Sequence, residues 1–233
     1  METSTRLPII ANVEGLGKIV EANRDFYTNL QLFKEEGARP ISPRDEAYAR
    51  LKTRGKENIG KSYGTRTCSG FEHVKGEYPI LKLFDSRLLN PELAKLAVEA
   101  NRQERYFCTD SAREYEDSLK QAEKDRSKEP KDRNVIILPS RNPFEISDEE
   151  NWDVFESISK DQARAYFELN GSIIIFPVNT SYVDSQNGTL LTQMQFGYLV
   201  LKSVLGDGRS LGGVNQLRGV KETSEAGSQK RQE

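Results

Sequence analysis

Three short apolar runs, separated by helix-forming segments, constrain the fold of this chain more than any other feature of its sequence. The runs cover residues 78–84, 135–138 and 173–178, and each is of strand length and rich in Ile, Leu or Val. Strands that alternate with helices favour one sheet on which the helices pack, in an α/β or α+β domain. We predict an α+β fold with a single mixed sheet.

Helix-starting signals occupy the intervals between these runs. Asn90 is a good N-cap, and Pro91 follows it at a position that helices favour for proline. Capping boxes, in which Ser is followed three positions later by Glu or Gln, begin at Ser111, Ser147 and Ser159. The sequence therefore predicts helices between successive strands.

The N-terminal region is also predicted to be helical. Residues 13–36 carry apolar side chains at helical spacing, and Gly37 is a natural stop for this helix. Residues 44–53 follow as a second short helix. We therefore assign residues 1–53 to a helical N-terminal extension of the α+β fold.

The rest of the chain divides by composition. Residues 54–222 are assigned to the α+β domain, which opens with a long polar loop at 54–76 punctuated by glycines. Charges of alternating sign dominate residues 109–133, so this stretch is predicted to be a solvated helical arm. The composition of residues 223–233 predicts a disordered tail.

The charge balance excludes a polybasic protein of the histone type. The net charge is −2 at pH 7 for 233 residues, and the isoelectric point is near 5.8, which still permits a local basic face. No apolar stretch approaches the ~18 residues that a membrane-spanning helix needs, and no signal-peptide pattern opens the chain. We expect no membrane partner and a cytoplasmic location.

Residues that carry catalysis or bind metals are scarce. Cys68 and Cys108 are the only cysteines and form no C-x-x-C motif, so both are expected to be reduced thiols. His73 is the only histidine, which disfavours a zinc enzyme, and a catalytic pair of Cys68 with His73 in a loop stays open. We expect no cofactor and no metal, assign no catalytic residue, and favour a protein that is not an enzyme.

One motif points to a nucleotide-binding enzyme. Residues 55–62 match G-x-x-x-x-G-K-[ST], in which backbone amides and a lysine cradle phosphates. A P-loop follows an apolar strand and opens a helix, whereas the flanking residues here are polar. A P-loop-like nucleotide-binding enzyme is therefore a third hypothesis, behind the two given below.

The same region suits a phosphate backbone in a second way. Residues 39–66 contain eight basic and three acidic residues, a local net charge of +5, with Tyr48 and Tyr63 interleaved. A basic, glycine-rich loop with aromatic side chains suits a nucleic acid, because the rings are free to stack on bases. The candidate binding residues of this stretch are Lys52, Arg54, Lys56, Lys61 and Arg66.

A glycine-rich segment near the C-terminus supplies the other candidate site. An apolar run at residues 190–205, predicted to be a helix, leads into glycines that bring backbone N–H groups close to a ligand. Residues 214–220 are predicted to form a final strand. The candidate binding residues are Gly206, Gly208, Arg209, Ser210, Gly212 and Gly213.

This glycine-rich segment resembles the C-terminal loop of the RAMP superfamily, the ferredoxin-like RNA-binding proteins of CRISPR effector complexes. The resemblance covers the chain from Ser172 to about Arg218, with Phe176 and Pro177 on the preceding strand. It implies a ferredoxin-like topology for the sheet and a glycine-rich loop that lies against RNA. The chain departs from the family pattern because its N-terminal half opens with a predicted helix.

We therefore predict a non-catalytic nucleic-acid-binding subunit of a larger nucleoprotein assembly, of the CRISPR effector type that the resemblance implies. Its expected partners are nucleic acid, RNA rather than DNA, and other protein subunits. The alternative is a structural or assembly protein, such as a viral or organelle scaffold component, that binds other proteins only.

Overall fold

In a computed structural model the described residues are 7–53, 65–110, 112–147, 149–178, 183, 188–198, 203–207, 211–213 and 215–222. They form a large mixed sheet with packed helices, so the α+β class is confirmed. The strands are β1 (Ile9–Val13), β2 (Gly17–Arg24), β3 (Arg39–Pro40), β4 (Thr65–His73), β5 (Ile80–Lys82), β6 (Cys108–Thr109), β7 (Val135–Ile137), β8 (Phe144–Ile146), β9 (Ile173–Phe176), β10 (Thr189–Tyr198), β11 (Ser203–Asp207) and β12 (Asn215–Lys221). The helices are α1 (Phe26–Glu35), α2 (Pro43–Lys52), α3 (Pro91–Arg102), α4 (Arg113–Asp125), α5 (Trp152–Ser159) and α6 (Ala163–Asn170).

The second and the last described strands are neighbours in the sheet. β2 pairs antiparallel with β12, and β1 adds to the outer edge of β2. β12 then lies parallel to β4, with Leu217 opposite Arg66. Gly17 opens β2 with a φ of +110°, and a Cβ atom there would lie 2.6 Å from the carbonyl oxygen of Lys221. Glycine is therefore required where these two strands meet.

β4 is the central strand, and all nine of its residues are buried. One edge of β4 pairs with β10, beyond which β11, β9 and β8 extend the sheet. The other edge pairs with β12 at its start and with β5 at its end, and β7 pairs in turn with β5. The pair β5–β7 is therefore a branch beside the main path of the sheet.

Side chains replace backbone bonds where β4 bulges against β10, with the four steps from Arg66 to Gly70 facing two steps of β10. The register shifts between Gln193 and Gln195, and the Gln193 amide donates to the backbone oxygens of Thr67 and Ser69. Ser86 Oγ donates in turn to Gln193 Oε1 at 2.9 Å. These bonds satisfy polar groups that would each cost about 1–3 kcal/mol if they were left unpaired in the interior.

Apolar clusters lie on both faces of the central strands. Leu191 of β10 packs with side chains of α1 and α3, whereas Met194 and Phe196 of the same strand pack with side chains of α5 and α6. β10 is thus covered by helices on both faces.

Several local predictions are confirmed. The three apolar runs contain β5, β7 and β9, the last predicted strand is β12, and the second predicted helix is α2. The helix expected after Asn90 is α3, and the Asn90 side chain accepts hydrogen bonds from the N–H groups of Glu92 and Leu93. These elements are specified by signals that lie within a few residues of each other.

The predicted helix at residues 13–36 is wrong over its first half. β1 and β2 form a hairpin there, and only α1 is helical, capped by the Asp25 side chain. Gly15 and Gly17 adopt positive φ in the turn. Ile9, Ala11 and Val13 occupy every second position of β1, which is the spacing of a strand. The helical spacing arose because apolar residues of a hairpin and of the following helix were read as one pattern.

The predicted helix at residues 190–205 is also wrong. The described part of this run forms β10 and β11, which pair antiparallel with Met194 opposite Gly206. Met194, Phe196 and Tyr198 alternate with Gln193, Gln195 and Gly197, which is a strand pattern, but it covers only part of the apolar run that was read as one helix. β10 pairs with β4 and β11 pairs with β9, and this pairing identifies both segments as strands.

The predicted loop at residues 54–76 contains β4, so it is wrong from Thr65 onward. Polar residues such as Arg66, Glu72 and His73 made this stretch look solvated, yet all three are buried within the sheet. Residues 54–64 lie outside the described part of the chain.

The helix predicted near Ser111 is α4, but it is not a fully solvated arm. Its side chains at Tyr115, Ala122 and Asp125 are buried against β5 and β7. Asp125 Oδ2 accepts hydrogen bonds from the N–H groups of Asn134 and Val135 at 2.8 and 3.0 Å. The charged stretch therefore contains one buried face that the alternation of charges concealed.

The remaining assignments concern the chain ends. The tail predicted at residues 223–233 lies outside the described residues, and the domain boundaries stay a prediction. β1 and β2 nevertheless belong to the same sheet as the strands that follow residue 64. None of the helices in the described ranges is long and apolar enough to cross a membrane.

A buried ion-pair network joins α2 to the terminal strands. Glu46 Oε1 accepts hydrogen bonds from Arg50 Nε at 2.7 Å and from Arg218 Nη1 at 2.6 Å, and all three side chains are buried. Arg218 Nε also lies 3.3 Å from Glu21 Oε2 on β2. Burial alone would raise the pKa of Glu46, but the charges of Arg218 and Arg50 outweigh it and hold that pKa below its ordinary value.

We predict that Glu46→Gln lowers the free energy of unfolding by about 3–5 kcal/mol, because two buried guanidinium groups lose the carboxylate that they share. Urea denaturation at neutral pH measures the change. Asp161→Asn is the matched control, since Asp161 pairs with Arg44 at 2.6 Å while both side chains remain about half exposed. The control should cost less than about 1 kcal/mol. Equal losses in the two variants would contradict the assigned role of Glu46.

We predict a second, pH-dependent loss of stability from His73. Burial, assisted by the charge of Arg141, lowers its pKa from 6.5 to about 3. Because the folded-state pKa lies below the unfolded value, the stabilisation by neutral His73 is complete above pH 6.5 and is lost as the pH falls towards 3. The loss should reach about 3 kcal/mol at pH 4.

The prediction can be measured directly, since His73 is the only histidine in the chain. Its ring proton signals, followed by NMR at decreasing pH, should show no titration above pH 4 in the folded protein. The unfolding free energy of His73→Gln should depend less on pH between 7 and 4 than that of the unaltered chain. A normal titration near pH 6.5 would contradict the assigned burial.

Candidate functional site

The structure describes two of the five basic candidates, and these two differ in exposure. Lys52 is exposed at the end of α2, with Nζ 5.5 Å from the centre of the Tyr48 ring. Arg66 lies in β4 and is only 3% exposed, so it cannot reach a phosphate backbone in this conformation. The other candidates of this stretch, Arg54, Lys56 and Lys61, lie outside the described residues together with the P-loop-like motif at 55–62.

The glycine-rich segment has a structural explanation where it is described. Gly206 lies in β11, and a Cβ atom there would come within 3.2 Å of the Phe71 ring and of Thr192 Oγ1. Gly212 packs against α3, where a Cβ atom would lie 3.1 Å from the backbone oxygen of Val98. Gly213 is exposed, and Gly208, Arg209 and Ser210 lie outside the described residues. Close packing therefore accounts for two of these glycines without any ligand.

Cys68 and His73 do not form a catalytic pair. Both lie in β4, but Cys68 Sγ donates to the backbone oxygen of Leu83 at 3.6 Å, whereas His73 Nε2 lies 3.3 Å from Thr192 Oγ1, so the two side chains have different partners. Burial raises the pKa of the Cys68 thiol to about 12, so it is not a thiolate near neutral pH. Within the described ranges, no group of three or more His, Cys, Asp or Glu side chains is placed to hold a metal ion.

Three adjoining grooves lie around the β5–β7 branch, and we call this surface the groove face. The edge groove lies between α4 and β7, with a volume of about 340 Å³. The middle groove lies between α4 and residues 82–87, with a volume of about 390 Å³. The far groove lies beside β3 and the start of α2, with a volume of about 420 Å³. Val135 lines the first two grooves, and Phe84 lines the last two.

Exposed apolar side chains concentrate on the groove face. Tyr78, Phe84 and Ile137 are 52%, 39% and 37% exposed, and they are three of the six large apolar side chains that the described residues leave exposed. All three line one or more of the grooves. A contiguous exposed apolar surface bordered by polar residues is typical of a binding site.

Hydrogen bonds hold the walls of these grooves in place. Tyr115 Oη of α4 donates to the backbone oxygen of Tyr78 at 2.6 Å. Arg87 bridges two elements, because its Nε lies 2.6 Å from Glu72 Oε1 in β4 and its Nη1 lies 2.9 Å from Glu114 Oε2 in α4. The groove face is thus supported by side chains that are anchored in the core, which favours a preformed binding surface.

Lysine and arginine side chains border the apolar surface. Lys160 Nζ lies 5.3 Å from the centre of the Phe84 ring and donates to the backbone oxygen of Arg133. Burial lowers the pKa of Lys160 to about 8. Arg126 and Arg133 line the edge groove, and no carboxylate is among its lining residues. The edge groove therefore presents positive charge next to apolar side chains.

Sequence reasoning did not identify this surface. Tyr78 and Phe84 were placed at the two ends of a predicted buried strand, and Ile137 within another. The strands are present, but β7 lies at an edge of the described sheet, where its residues keep one side free. The sequence did contain one signal for this surface. The apolar runs are longer than the part of each strand that the core covers.

Comparison with known proteins identifies the fold. No family model and no curated protein matches the chain. A solved structure described as "Accommodation of massive sequence variation in Nanoarchaeota by the C-type lectin fold" superposes with a TM-score of 0.60, at 17% sequence identity, over 90% of this chain and all of its own. The similarity shows a shared C-type lectin fold, and the finer prediction of a ferredoxin-like topology is not supported.

This finding overturns the functional prediction. A C-type lectin fold, with strands in place of the expected helix before the glycine-rich segment, does not support an RNA-binding or CRISPR effector subunit. The predicted nucleoprotein function is therefore wrong. The resemblance to the RAMP superfamily remains a prediction from sequence that these comparisons do not test, and its structural premise, an apolar helix at 190–205, is absent from the described residues.

Proposed function

We propose that the chain is a binding module that holds a partner protein on its groove face. The observation that carries the proposal is the concentration of Tyr78, Phe84 and Ile137 in adjoining grooves bordered by charged side chains, which are arginines in the edge groove and of both signs in the middle groove. Aromatic and arginine side chains supply most of the binding free energy in protein interfaces. The proposal is closest to the alternative from sequence analysis, a protein that binds other proteins.

The fold supports this proposal through the division between core and surface. The similar nanoarchaeal structure is described as a fold that accommodates massive sequence variation. In the present chain the core is held by the buried strand β4 and a buried ion-pair network, and Tyr78, Phe84 and Ile137 belong to neither. Side chains on such a surface can change to suit a partner at little cost to folding.

We predict that peptides selected from a random phage library on the immobilised full chain bind the groove face, because concave apolar sites give the largest binding free energy. Fluorescence polarisation then compares variants. Tyr78→Ala or Phe84→Ala should weaken binding about tenfold or more. Leu96→Ala is the matched control, since Leu96 is 49% exposed and lines none of the three grooves.

Two results would contradict the proposal. One is a set of selected peptides whose affinity is unchanged by both groove variants but falls in Leu96→Ala. The other is the absence of peptide ligands together with saturable binding on a glycan array, which would assign the chain a carbohydrate ligand instead of a protein.

A further inference from the structure

We propose that the edge groove takes an extended segment of the partner protein, which adds a strand to β7 and carries acidic side chains. This inference rests on the proposed function, since it names the part of the partner that the groove face would hold. Four features of the edge groove carry it: the backbone groups of β7, the length of its open edge, the apolar walls, and the charge.

The backbone of β7 has a free edge. Leu83 N–H donates to the oxygen of Asn134, and Leu138 N–H donates to the oxygen of Pro79, both at 2.9 Å. Alternate residues of a paired strand face the same partner, so the N–H and C=O groups of Ile137 point away from β5. In the described sheet β7 pairs with β5 alone. An added antiparallel strand could therefore exchange two backbone hydrogen bonds with Ile137.

The free edge is short because both of its ends are closed. Asp125 Oδ2 already accepts the N–H groups of Asn134 and Val135. Pro139 has no N–H to donate. The groove spans residues 135–139, a length of about 16 Å in extended chain, which corresponds to about five residues of a partner. Such a restricted edge can accept one specific segment without inviting open-ended aggregation.

The walls of the edge groove fit alternating apolar side chains. Tyr78 and Ile137 expose apolar surface next to the open edge, and Ala122 of α4 lines the opposite wall. Side chains of an added strand alternate between two faces. One set would contact these apolar side chains, and the other set would lie along the border of the groove.

The positive charge of the edge groove favours a partner segment that carries acidic side chains. Arg126 and Arg133 are the charged side chains that line it, and Arg126 is exposed on α4. Arg133 donates from Nε to the backbone oxygen of Lys128 at 3.1 Å and reaches Asp153 from Nη1 only at 3.5 Å, so its charge is not neutralised by a close carboxylate. A second copy of this chain paired through β7 would bring these arginines towards their own counterparts, and like charges oppose such a pair.

The test uses two fluorescein-labelled octapeptides, one in which Val alternates with Glu and one in which Lys replaces Glu. Fluorescence polarisation at low salt should show that the full chain binds the Glu peptide at least tenfold more tightly. Ile137→Pro removes the outward N–H and should weaken binding about fivefold, as expected for one backbone hydrogen bond. Ile137→Val keeps that N–H and is the matched control. Arg126→Glu should reverse the preference between the two peptides.

A second measurement needs no variant. Amide hydrogen exchange of the unaltered chain should slow at Ile137 at least tenfold when the Glu peptide is added, because the new hydrogen bond protects that N–H. Unchanged exchange at Ile137 in the presence of saturating peptide would overturn strand addition even if every variant folded poorly.

The outcomes separate this inference from the proposed function. If Tyr78→Ala weakens peptide binding while Ile137→Pro and Ile137→Val bind equally, the binding module stands and strand addition is wrong. If neither octapeptide binds, the acidic strand is wrong, and the phage selection decides the proposed function by itself. A dimer in sedimentation analysis that Ile137→Pro dissociates would replace the acidic segment with a second copy of this chain.

Discussion

The burial of β4 is the constraint on which the rest of the structure depends. All nine of its residues are buried, although the strand includes Arg66, Glu72 and His73. Polar groups in a protein interior must be partnered, because each unpaired group is costly. Arg87 therefore lies 2.6 Å from Glu72, and Gln193 fills the bulge between β4 and β10. The terminal strands, the helices on both faces and the β5–β7 branch are all placed by contact with this strand or its neighbours.

The groove face is a consequence of that branching. β4 has room for β12 along its first residues and for β5 along its last, so β5 and β7 leave the main path of the sheet. α4 covers the branch incompletely, with Tyr115 and Asp125 buried and the space on either side open. Exposed Tyr78 and Ile137 follow from their position at this edge. The same arrangement that satisfies the interior thus produces a bordered apolar surface on the outside.

The glycine-rich segment shows how one sequence signal can have two physical causes. Glycine permits the close approach of a ligand, and it equally permits the close approach of another part of the chain. Gly206 meets the Phe71 ring and Gly212 meets α3, so packing explains both. Basic residues are ambiguous in the same way, since Arg66 and Arg218 are buried in the sheet. Charge and glycine content alone therefore overstated the case for a nucleic-acid site.

The sequence by itself determined the α+β class and those elements whose signals are local. Asn90 and Pro91 specify the start of α3, and the apolar runs specify β5, β7 and β9. Only the tertiary structure decided that residues 9–13, 17–24, 189–198 and 203–207 are strands, because their state depends on partners far away in the chain. Met194, Phe196 and Tyr198 do alternate with more polar residues in β10, but this alternation covers only part of the apolar run. The groove face was likewise decided in three dimensions, since Tyr78, Arg126 and Ile137 come together only when α4 packs beside an edge strand.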